Sequence, residues 1–177
     1  LRAKTVMFDE MTPSIIMAGF PMLDWIDIAM SPVCLPGEVD QNANIMYVDA
    51  AERMGLAADV CPLPSAEVGC AIVDDYPQVG SSFITSSMPC DGSLGAALFM
   101  DRYMKKLPSF TLTPPQRFNE PETNAYAVKD LKNCIRFIEE TYDVKWDWDA
   151  FWKKAEEYNK TTQCLSLIHI SEPTRRS

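Results

Sequence analysis

Histidine is almost absent from this sequence: the 177 residues include one, His169. Phosphate-binding and serine-hydrolase motifs are also missing, because the chain contains no GxGxxG, no Walker loop and no GxSxG. No run approaches the ~18 apolar residues of a membrane-spanning helix, and the first residues do not form a basic-then-apolar signal peptide. These absences disfavour a catalytic triad, a nucleotide-binding enzyme and a membrane protein, and we expect a cytoplasmic location.

The single histidine lies in a stretch that looks foreign to the rest of the chain. Leu165–Arg175 read LSLIHISEPTR, which looks like the conceptual translation of a sequencing-library adapter. We therefore interpret residues 1–164 as an incomplete N-terminal α/β domain and residues 165–177 as a non-native tail. On that interpretation the native segment is a fragment open at both ends, with no histidine to serve as a base or a metal ligand.

Basic residues are in the minority. Sixteen Lys and Arg stand against 25 Asp and Glu, for a net charge of −9, which argues against a general nucleic-acid-binding protein because such a protein needs a basic face. The hydrophobic fraction of 47% is ordinary for a globular domain with a real core. Without an export signal, six cysteines favour thiols or metal ligands over disulfides; they are Cys34, Cys61, Cys70, Cys90, Cys134 and Cys164.

The stretch Ser81–Lys106 predicts a strand, a loop and a helix in succession. Ser109–Thr113 follows as a second strand, and strand–helix–strand is the building block of a parallel sheet. Cys90 falls in the loop that leaves the first strand, where open α/β sheets bind their ligands. The helix that begins after Cys90 also favours a thiolate there, because its N-terminus carries positive partial charge.

Cys61 lies in a similar local setting, between Val60 and Pro62. The following proline favours an extended backbone at Cys61, and Ser65 is a candidate cap for the helix that follows. Twenty-eight residues separate Cys61 from Cys90, and this spacing by itself is compatible either with a shared metal ion or with two unrelated thiols, since strong metal signatures have short CxxC steps.

The other thiols are interpreted more simply. Cys70 and Cys134 fall on apolar helix faces and are expected in the core, as free cysteines commonly are. Cys34 lies in Ser31–Asn44, which is expected to be a loop, and has no assigned role. Ser86, Ser87 and Ser93 could donate hydrogen bonds to cluster sulfides or to a phosphate, although serines are equally ordinary in turns.

Most of the remaining chain is expected to be helical. Thr12 and Pro13 form an N-cap and first-turn pair, so a helix is predicted to begin there and to end near Gly19. Leu23–Met30 fits either a helix or a strand. The further predicted helices are Ile45–Met54 before Gly55, the amphipathic Val128–Tyr142, and a last helix capped by Asp147 that carries Trp148, Phe151 and Trp152 on one face.

Three segments, in order, resemble the 2-hydroxyacyl-CoA dehydratase family, which includes related subunits of benzoyl-CoA reductase. They are CPLPSAEVG (Cys61–Gly69), MPCDGS (Met88–Ser93) and KWDWDAFWKKAEEYNKT (Lys145–Thr161). The resemblance covers roughly Thr12–Thr161. It implies an α/β fold in which a flavodoxin-like or Rossmann-like parallel sheet is flanked by helices, here truncated.

The resemblance also implies a cofactor, a reaction and partners. One oxygen-sensitive [4Fe–4S] cluster per subunit would be held by three cysteines, two of which match Cys61 and Cys90, while the third would come from a further domain outside this chain. The enzyme would be an anaerobic lyase that removes water from a (R)-2-hydroxyacyl-CoA through a radical, giving a 2-enoyl-CoA. Its partners would be the acyl-CoA substrate, a paralogous dehydratase subunit and an ATP-dependent iron–sulfur activator protein.

Two alternatives stay open at this point. The chain could be a reductive subunit similar to those of benzoyl-CoA reductase, or a cofactor-free flavodoxin-like binding module whose cysteines belong to the core. The metal hypothesis makes a geometric prediction that separates it from the second alternative: Cys61 and Cys90 should lie on the same edge of the sheet, within reach of one cluster.

Overall fold

A four-stranded sheet forms the centre of the larger part of the chain. The computed structural model describes residues 4–9, 12–27, 35–40, 42–76, 78–88, 91–103, 107–115, 117 and 120–171. The strands are Thr5–Phe8 (β1), Asp24–Asp27 (β2), Ser82–Ser86 (β3) and Ser109–Leu112 (β4). Their order is β2-β1-β3-β4, and every pairing is parallel. The chain thus moves to one side from β1 to β2 and to the other towards β3 and β4, as in flavodoxin-like sheets, which confirms the predicted α/β class.

Helices account for most of the other described residues. They are a 3₁₀ helix at Ser14–Gly19 and six α-helices: Leu35–Val39 (α1), Ile45–Arg53 (α2), Pro62–Ile72 (α3), Asp91–Tyr103 (α4), Pro121–Tyr142 (α5) and Trp148–Ser171 (α6). The chain divides into two compact units. The first comprises Leu1–Thr12 and Leu23–Val144, with the sheet and α1–α5; the second comprises Pro13–Met22 and Lys145–Ser177, with the 3₁₀ helix and α6.

One face of the sheet is covered by α2, α3 and α4. Met7 and Phe83 pair in register on neighbouring strands, and both are almost completely buried in one core cluster with residues of these three helices. The close approach of α2 and α3 depends on Gly69, because a Cβ there would overlap the backbone of Tyr47. The main helical members of the cluster are Tyr47, Ala51, Val68, Cys70, Ala71, Ala96 and Met100.

The opposite face is bonded to the C-terminal end of α5. The hydroxyl of Tyr142 donates to the carbonyl of Thr5 at 3.0 Å and shares a 2.7 Å hydrogen bond with the hydroxyl of Ser82. Cys134 lies further back along the same helix and is fully buried. The predicted amphipathic helix is therefore confirmed at this end, whereas Val128, at the start of the predicted stripe, is 50% exposed.

Two predictions in the N-terminal part are wrong. Thr12 does not cap a helix: the N-cap of the 3₁₀ helix is Pro13, because the Thr12 hydroxyl donates instead to the Asp9 carboxylate at 2.6 Å. The segment Ser31–Asn44 is not entirely a loop, because it contains the five-residue α1. The ambiguous stretch Leu23–Met30 includes a strand, β2.

Other helix boundaries follow their end signals. α2 ends at Arg53, and Gly55 adopts a φ of 102°, the left-handed conformation that makes glycine a natural stop. The strand–helix–strand unit β3–α4–β4 is confirmed. None of the described helices is both long and apolar enough to cross a membrane.

The second unit joins the 3₁₀ helix to the start of α6 through Trp146. Its indole packs edge-to-face on Phe20 with ring centroids 5.2 Å apart, and a Cβ at Gly19 would overlap it. Asp147 accepts a hydrogen bond from the Ala150 N–H at 2.9 Å, so the predicted cap of the last helix is confirmed. Residues 156–166 are exposed along α6, and their packing does not bear on the predicted boundary at 164/165, which stays a prediction.

Candidate functional site

The carboxyl ends of β1 and β3 mark the expected ligand position. In a doubly wound sheet, ligands bind beyond the carboxyl ends of the two adjacent strands from which the chain diverges, and here those strands are β1 and β3. The described residues at this point are Asp9, Thr12 and Ser86–Met88, which we call the carboxyl-edge site. Its hydrogen bonds explain how Ser86–Met88, at the carboxyl end of β3, are held.

Asp9 is the central residue of the carboxyl-edge site. Its side chain is 6% exposed. One carboxylate oxygen accepts hydrogen bonds from the backbone N–H and the hydroxyl of Thr12, at 2.8 and 2.6 Å. The other accepts the backbone N–H of Ser86 at 2.6 Å. A buried carboxylate is costly unless it is hydrogen-bonded in this way, so these contacts tie the end of β1 to the end of β3.

The backbone that leaves β3 is anchored residue by residue. The N–H of Ser86 binds Asp9, the N–H of Ser87 donates to the carbonyl of Leu112 in β4 at 2.8 Å, and the N–H of Met88 donates to the Ser86 hydroxyl at 3.1 Å. Three consecutive donors are thus satisfied by three different parts of the fold. The backbone of Ser86–Met88 is therefore fixed.

Cys61 is the N-cap of α3 and is exposed. Its backbone has φ −50° and ψ 133°, the extended geometry predicted from the proline that follows. The helix begins at Pro62, earlier than the predicted cap at Ser65. That residue instead lies in the first turn, where its N–H and its hydroxyl both donate to the Cys61 carbonyl, at 3.2 and 2.9 Å.

The direction of α3 places Cys61 on the carboxyl side of the sheet. Residues 73–81 connect the C-terminal end of α3 to the start of β3, so this end faces the amino edge and the helix runs back towards the carboxyl edge. α4 starts just after the carboxyl end of β3 and packs beside α3. The N-termini of both helices therefore face the same edge of the sheet.

Cys70 and Cys134 are core residues, as predicted. Burial, reinforced by the charges of Asp75 and Glu67, raises the pKa of the Cys70 thiol to about 12, and its Sγ lies 2.8 Å from the Asp75 carbonyl oxygen, to which it donates. Burial and then the charge of Asp130 raise the pKa of Cys134 to about 12 as well. Protonated, buried thiols of this kind are poor metal ligands.

Two of the sequence-predicted positions are not placed. Cys90, the second predicted ligand, and Cys34, the unassigned thiol, both lie outside the described residues, so the predicted proximity of Cys61 and Cys90 stays a prediction. Among the residues that are described, no three His, Cys, Asp or Glu side chains are grouped so that they could hold a metal ion.

A [4Fe–4S] cluster is bound by cysteine thiolates. The described cysteines differ in whether they could serve as such ligands. The thiol of Cys61 fits a ligand position, because it is exposed, sits at a helix N-terminus and faces the carboxyl edge. Cys70 and Cys134 do not fit, because both are enclosed by the core. Among the described residues of the carboxyl edge, Cys61 is therefore the one suitable ligand, and a cluster there would need further ligands from elsewhere.

A comparison with protein-family models identifies the chain. The model described as 2-hydroxyglutaryl-CoA dehydratase, D-component, matches residues 35–171, well over half of the sequence. The chain belongs to the 2-hydroxyglutaryl-CoA dehydratase D-component family. The match includes α3 with Cys61 and the whole β3–α4–β4 unit, so the resemblance found in the short motifs is confirmed for the family. No curated protein gives a significant match to the sequence.

Sequence reasoning missed β1 and, with it, Asp9. The four residues of β1 are all buried, so the strand lacks the polar–apolar alternation that reveals half-exposed strands. A usable signal was present nonetheless. An aspartate follows the apolar run TVMF directly, and a threonine stands three residues later, a pattern suited to side-chain hydrogen bonds at a strand end.

Proposed function

We propose that this chain is an iron–sulfur subunit of a 2-hydroxyacyl-CoA dehydratase, a lyase that converts a (R)-2-hydroxyacyl-CoA into a 2-enoyl-CoA and water. The family match supports the dehydratase assignment at the level of a component. The observation that carries the cofactor assignment is the exposed Cys61 thiol at the N-terminus of α3, at the edge where doubly wound sheets bind ligands.

Cys61 and Cys90 are the proposed ligands of a [4Fe–4S] cluster. Cys90 comes directly before Asp91, the first residue of α4, and the N-termini of α3 and α4 face the same edge, which supports a shared site. A third cysteine would be supplied from outside this chain. When bound, such a cluster supplies single electrons and, at an iron without a cysteine ligand, a Lewis acid for the substrate oxygen.

The first turn of α3 gives Cys61 an unusual setting for a ligand. Pro62 and Pro64 have no N–H, so Leu63 carries the main backbone donor of the first turn that can reach a thiolate at the N-cap. Hydrogen bonds to cluster sulfurs tune the reduction potential. The CPLP sequence therefore restricts the number of such bonds and fixes the backbone of the ligand.

The proposed partners follow from the component role. A D-component works with another dehydratase subunit, for which we propose a paralogue of this chain. We further propose an ATP-dependent iron–sulfur activator as the electron donor and an acyl-CoA as the substrate. Cytoplasmic location and anaerobic chemistry complete the proposal.

The experiment uses the protein in its natural reading frame, expressed with a dehydratase paralogue and an iron–sulfur activator protein and purified without oxygen. Formation of 2-enoyl-CoA from a 2-hydroxyacyl-CoA is followed in wild type, Cys61→Ser, Cys90→Ser and the control Cys164→Ser. We expect activity to fall ~100-fold or more in the first two variants, since even outer-shell changes at metal sites cost 10–100-fold. The control changes an exposed thiol of α6 and should retain activity.

Other outcomes would overturn the proposal in different ways. Reduction of an aromatic acyl-CoA in place of dehydration would assign the chain to the reductase-like subunits. A colourless protein that forms no 2-enoyl-CoA and has the same stability in all four forms would favour a cofactor-free binding module.

A further inference from the structure

Asp9 is connected to Met88 through two successive hydrogen bonds. Its carboxylate binds Thr12 through one oxygen and the Ser86 N–H through the other. The Ser86 hydroxyl in turn accepts the Met88 N–H. Two successive links thus connect the end of β1 to the residue that stands two positions before Cys90.

Asp9 supplies the hydrogen-bond acceptor for the Ser86 N–H at the end of β3. The β3–β4 ladder holds Ser87 through the Leu112 carbonyl, but the adjacent N–H of Ser86 points to β1, where its acceptor is a side chain and not a strand carbonyl. A carboxyl group also offers two acceptor oxygens, whereas a backbone carbonyl offers one. The two oxygens of Asp9 receive three donors, which leaves little freedom for the carboxylate to turn.

We propose that Asp9 is a positioning residue for the carboxyl end of β3, acting through Ser86 to hold the backbone of Ser86–Met88, the described residues that precede Cys90 in the sequence. The inference rests on the proposed function in one respect, namely that Cys90 is a cluster ligand. Ligands at metal sites are held to their geometry by such supporting hydrogen bonds. Asp9 itself does not contact the cluster or the substrate in this proposal.

The first test measures backbone hydrogen exchange in this chain without any cofactor. Asp9→Asn keeps the shape of the side chain but turns one acceptor oxygen into a donor, which then faces Thr12 or Ser86. We expect amide exchange at Ser86–Met88 to become about tenfold faster, since a buried N–H left without its acceptor costs about that factor in local stability. Ser86→Ala breaks only the second link, so Met88 should exchange about threefold faster while Ser86 keeps its protection.

A matched control is available on the same crossover. Asp101 in α4 also accepts a hydrogen bond, from the Ser109 hydroxyl, but it is exposed. Asp101→Asn should leave the exchange of Ser86–Met88 unchanged. The buried segment around Cys134 in α5 reports on general loosening and should be unaffected in all three variants.

The second test adds the cluster to the complete protein. After anaerobic reconstitution, Asp9→Asn and Ser86→Ala should alter the electron paramagnetic resonance spectrum of the reduced cluster, whereas Asp101→Asn should give the wild-type spectrum. A purely structural role for Asp9 would lower stability without changing the spectrum of the molecules that remain folded. The spectrum therefore separates positioning from general stabilisation.

The outcomes distinguish this inference from the proposed function. If wild type binds no cluster, the proposed function fails, while the exchange test still decides whether Asp9 anchors Ser86–Met88. If exchange at Ser86–Met88 is unchanged in Asp9→Asn, or rises equally around Cys134, the positioning role is wrong. It is also wrong if wild type binds a cluster and the Asp9→Asn spectrum is identical to that of wild type.

Discussion

The two cysteines of α3 are nine positions apart and lie in opposite environments. Cys61 is exposed at the N-cap, on the carboxyl side of the sheet. Cys70 is buried near the other end, where its thiol donates to the Asp75 carbonyl and its pKa is raised to about 12 by burial and neighbouring carboxylates. The same helix thus carries one exposed thiol that could bind a metal, Cys61, and one buried thiol, Cys70.

The difference teaches that position relative to the sheet, more than residue type, decides what a cysteine can do. At the end of α3 that faces the carboxyl edge, the Cys61 thiol is exposed and outside the core. The other end meets buried side chains, and the Tyr47 hydroxyl donates to the Asp75 carboxylate there at 2.6 Å, so the surroundings carry negative charge. The same residue type is therefore expected to be reactive at Cys61 and inert at Cys70.

The largest expected effect is the contrast in chemical reactivity. At pH 8 in the folded chain without a cluster, iodoacetamide should label Cys61 on the order of a thousandfold faster than Cys70, because Cys70 becomes accessible only when the core opens. Peptide mass spectrometry measures the two rates separately. Full denaturant should remove most of the difference, and similar rates in the native protein would contradict the contrast.

A second test adds a methyl group to the buried side of the same helix. Gly69→Ala places a Cβ against the Tyr47 backbone, so we expect the free energy of unfolding in urea to fall by about 3 kcal/mol. Gly95→Ala in α4 is the matched control, because a Cβ there meets nothing within 4 Å, and helix propensity predicts a gain of about 0.5–1 kcal/mol. Equal effects of the two changes would refute the close contact of α2 and α3.

A third test removes each thiol in turn. Cys70→Ala deletes a buried sulfur and its hydrogen bond, and should lower the free energy of unfolding by about 1–2 kcal/mol. Cys61→Ala changes an exposed side chain that makes no contribution to the core, so its effect should stay within about 0.5 kcal/mol. A larger loss for Cys61→Ala than for Cys70→Ala would reverse the comparison.

The smallest expected effect concerns pH and the second buried thiol, Cys134. Its folded pKa of about 12 lies above the ordinary value of 9.0, so its contribution to stability is complete below pH 9 and is lost as the pH rises towards 12. Between pH 8 and pH 10, Cys134→Ala should therefore lose about 1 kcal/mol less stability than wild type. Ile138→Val, a core change without a titratable group, should keep the wild-type pH dependence.

Much of the fold could be predicted from the sequence where local signals agreed. The β3–α4–β4 unit, the stop at Gly55, the Asp147 cap and the burial of Cys70 and Cys134 all follow from periodicity and end signals. Each of these features depends on residues close together in the chain. Local physical chemistry was sufficient for them.

Features that depend on distant partners could not be predicted in this way. β1 is buried on both sides and has no alternating pattern. Thr12 would suit a helix cap, but its hydroxyl binds Asp9 because the ends of β1 and β3 meet there. The candidate site is likewise built from separate strands and helices. The short motifs singled out Cys61, but no local signal showed that β1 and β3 are adjacent or that Asp9 binds Ser86.

We propose that the exposed thiol of α3, and not the buried one, holds an iron–sulfur cluster. The most direct measurement is the iron content and charge-transfer absorbance of the complete protein after anaerobic reconstitution, in wild type, Cys61→Ser and Cys70→Ser. We expect a brown, iron-loaded protein for wild type and for Cys70→Ser, and loss of iron and colour for Cys61→Ser. Cys61→Ser protein that binds as much iron as wild type, with the same absorbance, would contradict it.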